Sequence, residues 1–232
     1  MDALSRRPTD ELLVDRWLPV APGLVERLAA GARVADVGCG TGHAANVLAA
    51  AFPASTLVGF DLSAPAIARA RQEAAAQGLD NVSFEVADLT ALTADQDFDV
   101  VFAIDAIHDQ VDPVAVLDRV HAALVPGGTF VMIDIAAATD VADNVGNPYA
   151  PWIYSISTLH CMTVSLAEGG AGLGSAWGED LARRMLADAG FTDTTTVVAP
   201  GDESSLIYVS RRDRWASPAP GDRHPGPDAS SS

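Results

Sequence analysis

The stretch Asp36-Val37-Gly38-Cys39-Gly40-Thr41-Gly42-His43 decides the fold. It follows a β-rich run, Arg33–Val37, and leads at once into an alanine-rich helical pattern. Glycines at alternate positions let the backbone take positive φ and approach a ligand closely, at the N-terminus of a helix. A second strand is expected over 56–60, and Asp61 follows it, 25 residues after Asp36. A carboxylate in that register can accept both hydroxyls of a ribose. The combination suits an adenosine ligand. A dinucleotide fits less well, because G-x-G-x-x-G needs Gly or Ala where His43 stands.

Beyond this stretch β-rich and helical runs alternate, the pattern of a parallel sheet covered on both faces. Further strands are expected at Val82–Val86, 99–104 and 129–134. Ser63 can cap a helix running to Gln77 and stopping at Gly78. Asp112-Pro113 opens another, with Val116, Leu117, Val120 and Leu124 on one apolar face before Pro126-Gly127-Gly128 ends it. Two last strands, 194–199 and 205–210, are separated by five residues, too few for a parallel crossover, so they must be antiparallel. Ahead of them Trp177, Leu181 and Met185 recur at helical spacing, with Gly190 as a C-cap.

The chain spends about sixty residues between the fifth and sixth strands, twice the roughly thirty of a βαβ unit. The extra segment, 136–175, carries Tyr149, Trp152, Tyr154, His160 and Cys161, then Gly169, Gly170, Gly172 and Gly174. An aromatic helix on a glycine-rich joint has the composition of a substrate lid; a structural flap or dimer arm is the alternative. The expected organisation is an N-terminal helical segment 1–32 with helices near 11–17 and Leu24–Ala30, a catalytic domain 33–210, and a disordered tail 211–232.

Composition narrows the chemistry. All 14 basic residues are arginine, which excludes lysine Schiff bases and the lysine-dependent phosphate loop. A net charge of −17 disfavours nucleic acid and anionic membranes. No apolar run approaches the ~18 residues of a membrane span, and the acidic start lacks a secretory pattern. Two cysteines, Cys39 and Cys161, make no disulfide framework, so a cytoplasmic setting is expected.

At five places the sequence resembles the class I S-adenosylmethionine-dependent methyltransferases. They are Asp36-x-Gly38-x-Gly40-x-Gly42, Gly59-Phe60-Asp61-Leu62-Ser63, Ala87-Asp88-Leu89, Phe98-Asp99-Val100-Val101 and Leu124-x-Pro126-Gly127-Gly128. The likeness covers 34–210 and implies a Rossmann-like α/β fold. Its seven-stranded sheet would be mostly parallel, with one antiparallel strand beside the fifth. It implies S-adenosylmethionine as cofactor, with Gly38, Cys39 and Gly40 against its methionine part and ribose and Asp36 ordering the loop. Asp61 would take the ribose hydroxyls, and Leu62 would cover one adenine face. Asp88 would accept from the adenine amino group, flanked by Ala87 and Leu89, and Asp105 would meet the ammonium or the reaction centre. Within the class, 157–178 resembles an actinobacterial subgroup that carries a winged-helix module ahead of the catalytic domain. Only about 32 residues precede the first strand here, so the expectation is a catalytic domain without that module.

The run Ile107-His108-Asp109-Gln110 resembles the segment in which small-molecule O-methyltransferases carry His-Asp-Trp, with Gln110 replacing the tryptophan. The resemblance implies that His108 is a general base or a pocket contact; an imidazole can take a hydroxyl proton as the oxygen attacks the sulfonium methyl. His160 shares an apolar helical face with Ile153, Ile156 and Val164 and is expected to line the core or the substrate pocket, with Trp152. No zinc spacing emerges, and Cys161 lacks cysteine partners for a metal site. The expectation is therefore metal-free methylation of a small molecule at oxygen, with a homodimer as one admissible assembly. N- or C-methylation, non-methyl chemistry on the same cofactor, and a non-catalytic cofactor-binding remnant are the alternatives.

Overall fold

The structure, a computed structural model, describes residues 2–213, with side chains from Ser5 onward. Helix α1 (Asp2–Leu12) continues through a π-helical turn, Leu13–Trp17, and a 3-10 turn to α2 (Leu24–Ala30). There follow β1 (Arg33–Val37), α3 (His43–Ala51), β2 (Thr56–Asp61), α4 (Ala64–Gln77), β3 (Val82–Val86) and β4 (Phe98–Ile104). Next come α5 (Pro113–Ala123), β5 (Leu124–Ile135), α6 (Ala150–Ile156), α7 (Met162–Ala167), α8 (Glu179–Asp188), β6 (Asp193–Ala199) and β7 (Asp202–Arg211).

The strands form one sheet in the order β3-β2-β1-β4-β5-β7-β6. The first five are parallel, and β7 runs antiparallel to both β5 and β6. Alternation along β4 explains why both faces are covered: Val101 and Ala103 face one core with Leu117 and Val120, while Val100 and Phe102 face the other with Leu48. Strand order reverses between β1 and β4, and ligands of open α/β sheets bind outside the carboxyl ends of the strands at such a point.

Ser63 and Asp112 cap α4 and α5 as expected, accepting from the Ala66 and Ala115 backbone N–H groups. Other expectations are corrected. The helix expected near 11–17 is present but starts earlier, at Asp2, because α1 runs through Pro8, which forfeits one N–H bond without stopping it, and continues into the π-helical turn Leu13–Trp17. Pro126-Gly127-Gly128 does not end α5; the helix stops at Ala123 and the three residues belong to β5. Trp177 precedes α8 instead of riding on it, and is buried all the same. β7 begins at Asp202, which shortens the hairpin turn to Pro200 and Gly201. Of the tail expected from Arg211, Arg211 donates to the Pro22 carbonyl and Arg212 to that of Ala122, both at 2.9 Å. The remainder, 214–232, lies outside the described residues.

The glycine turn is fixed by close packing. Gly42 has φ +75°, and a Cβ there would sit 2.4 Å from the Phe84 ring and 2.6 Å from the Ala70 methyl. Gly42→Ala should therefore lose about 2–5 kcal/mol, from left-handed strain and overpacking together. Chemical denaturation checks this; a loss under 1 kcal/mol would contradict the packing described.

Candidate active site

A cavity of about 530 Å³ opens at the switch point. Its floor is the glycine turn, where the N–H groups of Gly38 and Cys39 both donate to the Phe60 carbonyl at 2.8 and 3.0 Å. Asp61, ending β2, ties this turn to the neighbouring strand. Its Oδ2 accepts from the Gly40 N–H and its Oδ1 from the Ser63 N–H, both at 2.8 Å. Asp36 sits beneath, 3% exposed, accepting from the Ala45 backbone at the start of α3. Burial, reinforced by the charge of Asp61, pushes its carboxyl up to about 7.

That value carries a pH signature. The folded carboxyl holds a proton that the unfolded one has released above about pH 4, so its contribution to stability falls as pH rises from about 4 to about 7. The ionised form is the one that favours a cationic ligand. Affinity for S-adenosylmethionine should therefore rise by up to about tenfold between pH 6 and pH 8. Calorimetry across that range reads this directly. The slope should be reduced in Asp36→Asn, with the remainder carried by Asp105, whose carboxyl is also pushed up to about 7, and a pH-independent wild-type affinity would contradict it.

The opposite wall comes from β4 and the turn after it. Asp105 has φ +50°, a conformation that non-glycine residues adopt mainly at strained functional positions. Its N–H donates to the Ile133 carbonyl at 2.9 Å, its Oδ1 is buried without a partner, and burial together with Asp134 pushes the carboxyl up to about 7. Asp109 and Gln110 also line the cavity, as do Trp152 and His160 from the segment between β5 and α8.

His108 stands behind this wall and does not line the cavity; it is 1% exposed. Its Nδ1 lies 2.7 Å from Asp134 Oδ1, and its Nε2 lies 3.4 Å from Asp109 Oδ1. Burial alone would lower the imidazole pKa, but the charge and hydrogen bond of Asp134 override it and hold the ring well above its ordinary value.

Of the residues singled out in the sequence, Asp36, Gly38, Cys39, Gly40, Asp61, Asp105, Trp152 and His160 meet around one cavity. Leu62, Ala87, Asp88 and Leu89 lie outside its lining. Leu62 is 62% exposed at the end of β2, and Leu89 is buried in the core. Asp88 caps the short turn Leu89–Ala91, accepting from the Thr90 N–H and hydroxyl.

Two parts of the wall were not anticipated. The β6–β7 hairpin supplies Asp202, Ser204 and Ser205, and the N-terminal segment supplies Ser5, Pro8, Thr9 and Trp17. A polar clamp holds α1 there. Arg6 pairs with both Glu73 oxygens at 3.0 and 2.6 Å, and His43 lies 2.8 Å from Asp10 and 3.1 Å from Glu73. The histidine that breaks the dinucleotide pattern thus fastens a roof over the glycine turn. The lining carries five carboxylates, Asp36, Asp61, Asp105, Asp109 and Asp202, and no arginine.

This sheet order, with an acid-lined cavity on a glycine turn at its switch point, is that of the class I S-adenosylmethionine-dependent methyltransferases. The methyltransferase domain family model matches residues 28–190, and the chain belongs to that family. S-adenosylmethionine is accordingly its cofactor. Among curated proteins it is 33% identical over 121 residues to a trans-aconitate 2-methyltransferase of Methylobacterium nodulans, covering 52% of this chain and 42% of the relative. It is 37% identical over 143 residues to the methyltransferase GfsG of Streptomyces halstedii, covering 60% and 51%. The matched stretch spans about half the length of these relatives or less. The fold is also that of the mitomycin 7-O-methyltransferase MmcR, with a TM-score of 0.65 at 19% identity, covering 90% of this chain and 54% of that one. Among the described residues no helix is long and apolar enough to cross a membrane.

Proposed function

We propose that this chain transfers the methyl group of S-adenosylmethionine to an oxygen of a small-molecule acceptor. The glycine turn and Asp61 hold the adenosyl part, with Asp36 beneath. Leu62 and Asp88 at the neighbouring strand ends, with Ala87 and Leu89 around Asp88, serve the adenine. Methyl transfer from a sulfonium needs mainly alignment of donor and acceptor, because the cation is already activated. The acceptor's proton leaves at the His108–Asp109 end of the cavity.

The observation that carries this reading is the pairing of His108 with Asp134 at 2.7 Å directly behind Asp109. Asp109 reaches the cavity, and His108, oriented by Asp134, stands directly behind it. Trp152 and His160 lie on the segment that closes over the acceptor. The roof formed by α1, which lines the cavity through Ser5, Pro8 and Thr9, favours a working enzyme over a binding remnant.

The lining charge also bears on the acceptor. A polycarboxylate of the kind named for the trans-aconitate relatives would share a cavity lined by five carboxylates, two of them, Asp36 and Asp61, at the cofactor, and by no arginine, so a neutral or cationic hydroxyl compound fits better. Incubation with methyl-deuterated S-adenosylmethionine and a panel of phenols, alcohols and amino alcohols tests the reading. Label should appear on acceptor oxygen, with one S-adenosylhomocysteine released per methyl. Label on nitrogen or carbon, or cofactor turnover without labelled product, would contradict it.

A further inference from the structure

One cluster beside the cavity has a composition found nowhere else among the described residues. His108, Asp109 and Cys161 each present a ligand atom, and these atoms lie within 4.8 Å of one another. His108 and Asp109 belong to the turn after β4, and Cys161 closes a π-helical stretch, Ser157–Cys161, between α6 and α7. The sequence reading set Cys161 aside for want of cysteine partners; the fold brings it a histidine and a carboxylate instead.

The pattern of donors and acceptors points to a missing cation. Asp134 Oδ1 already accepts from the Ile135 N–H at 2.8 Å and lies 2.7 Å from His108 Nδ1. A carboxylate so placed accepts from Nδ1–H and turns Nε2 toward the cluster, as in histidine ligands held by an outer carboxylate; a metal bound at Nε2 would displace the proton there. Nε2 lies 3.4 Å from Asp109 Oδ1, an oxygen that is itself buried and has no hydrogen-bond partner. Cys161 completes the group and is fully buried. A proton on Nε2 could serve one of these neighbours, whereas a divalent ion serves all three.

Cys161 reaches the cluster from a π-helical stretch; a second such turn, Leu13–Trp17, lies elsewhere in the chain. An added residue in a helical turn is uncommon and recurs at functional sites, where it redirects a side chain. In Ser157–Cys161 it ends on Cys161.

We propose that His108 Nε2, an oxygen of Asp109 and Cys161 Sγ bind one zinc ion, with Asp134 orienting the histidine and the fourth position open toward the acceptor. One nitrogen, one oxygen and one sulfur suit zinc better than magnesium or calcium, which take oxygen ligands. Three protein ligands with one open position is the arrangement of catalytic zinc. Asp109 lies on the cavity wall while His108 and Cys161 are buried behind it, so the Asp109 side of the site borders the acceptor space. An acceptor hydroxyl bound there would be acidified and would lose its proton to water in the cavity, with Asp109 and His108 serving as ligands in place of proton carriers. Only this use in turnover rests on the methyl-transfer reading; metal binding does not.

The test uses the untagged, reduced, chelator-treated chain, titrated with cobalt(II) and then with zinc. One equivalent of cobalt should bind and give thiolate-to-metal charge-transfer absorption, and zinc should displace it. Cys161→Ser should abolish that absorption, Cys39→Ser should leave it intact, and Asp134→Asn should weaken metal affinity by roughly 10–100-fold. Calorimetry should find S-adenosylmethionine affinity retained in Cys161→Ser, which shows that the variant is folded. No stoichiometric cobalt binding by the wild-type chain would overturn the site, as would a spectrum without thiolate ligation or one that depends on Cys39. A chain that binds cobalt in this way but fails to transfer methyl contradicts the proposed function alone. One that transfers methyl yet binds no metal contradicts the zinc site alone.

Discussion

Asp61→Ala is expected to abolish measurable binding of S-adenosylmethionine. The carboxylate closes the glycine turn through Gly40 and Ser63, and it faces the space where the ribose would lie. Hydrogen bonds to a charged acceptor contribute about 1.5–3 kcal/mol each, so losing two toward the ribose amounts to about 3–6 kcal/mol. At about 1.4 kcal/mol per decade, affinity falls at least about 100-fold. Isothermal calorimetry reads this directly. Asp61→Asn separates shape from charge: its single amide oxygen can accept from one of the two backbone N–H groups, Gly40 or Ser63, so its loss should be smaller than that of Asp61→Ala. Unchanged affinity in Asp61→Ala would remove Asp61 from the cofactor site.

The second large effect concerns His108. Replacing it alone leaves Asp134 fully buried without its partner, a situation that typically costs several kcal/mol. The informative variant is therefore His108→Gln combined with Asp134→Asn, which exchanges the pair for a neutral one of similar shape. Cofactor affinity should stay within about threefold of wild type, because neither side chain lines the cavity, whereas turnover should fall by about 10²–10⁴. A melting temperature near that of wild type would show that the fold survives. Turnover within tenfold of wild type would reduce the pair to a packing element. The loss is expected whether the pair carries a proton or holds a metal, so this experiment addresses the location of the chemistry and cobalt binding addresses its form.

Sheet and cofactor floor were both legible in the sequence, for a local reason. β1, the glycine turn and Asp61 form a continuous strand–turn–helix–strand unit whose spacing fixes their relative positions. The short connection before β7 likewise forces an antiparallel pair by geometry alone. The roof was not legible. Pro8 reads as a helix breaker, and nothing in the sequence links Arg6 and Asp10 to His43 and Glu73, which lie 30 or more residues away. Asp202 and Ser204 read as turn residues and Ser205 as the start of a strand, since only the fold carries the hairpin to the cavity. The position of His108 depends on depth, which no local pattern encodes. Its neighbour Asp109 faces the cavity while His108 itself turns inward to Asp134. Cys161 shows the reverse case, a residue without sequence partners that gains them when the segment after β5 folds back against the turn after β4.

The most direct test of the account is a crystal structure with S-adenosylhomocysteine bound. The ribose hydroxyls should lie on Asp61 and the homocysteine part along Gly38–Gly40. The sulfur should face the space bounded by Asp109, Trp152 and His160. A ligand seated elsewhere, or one whose sulfur is turned away from Asp109, would contradict the assignment of this cavity as the site of methyl transfer.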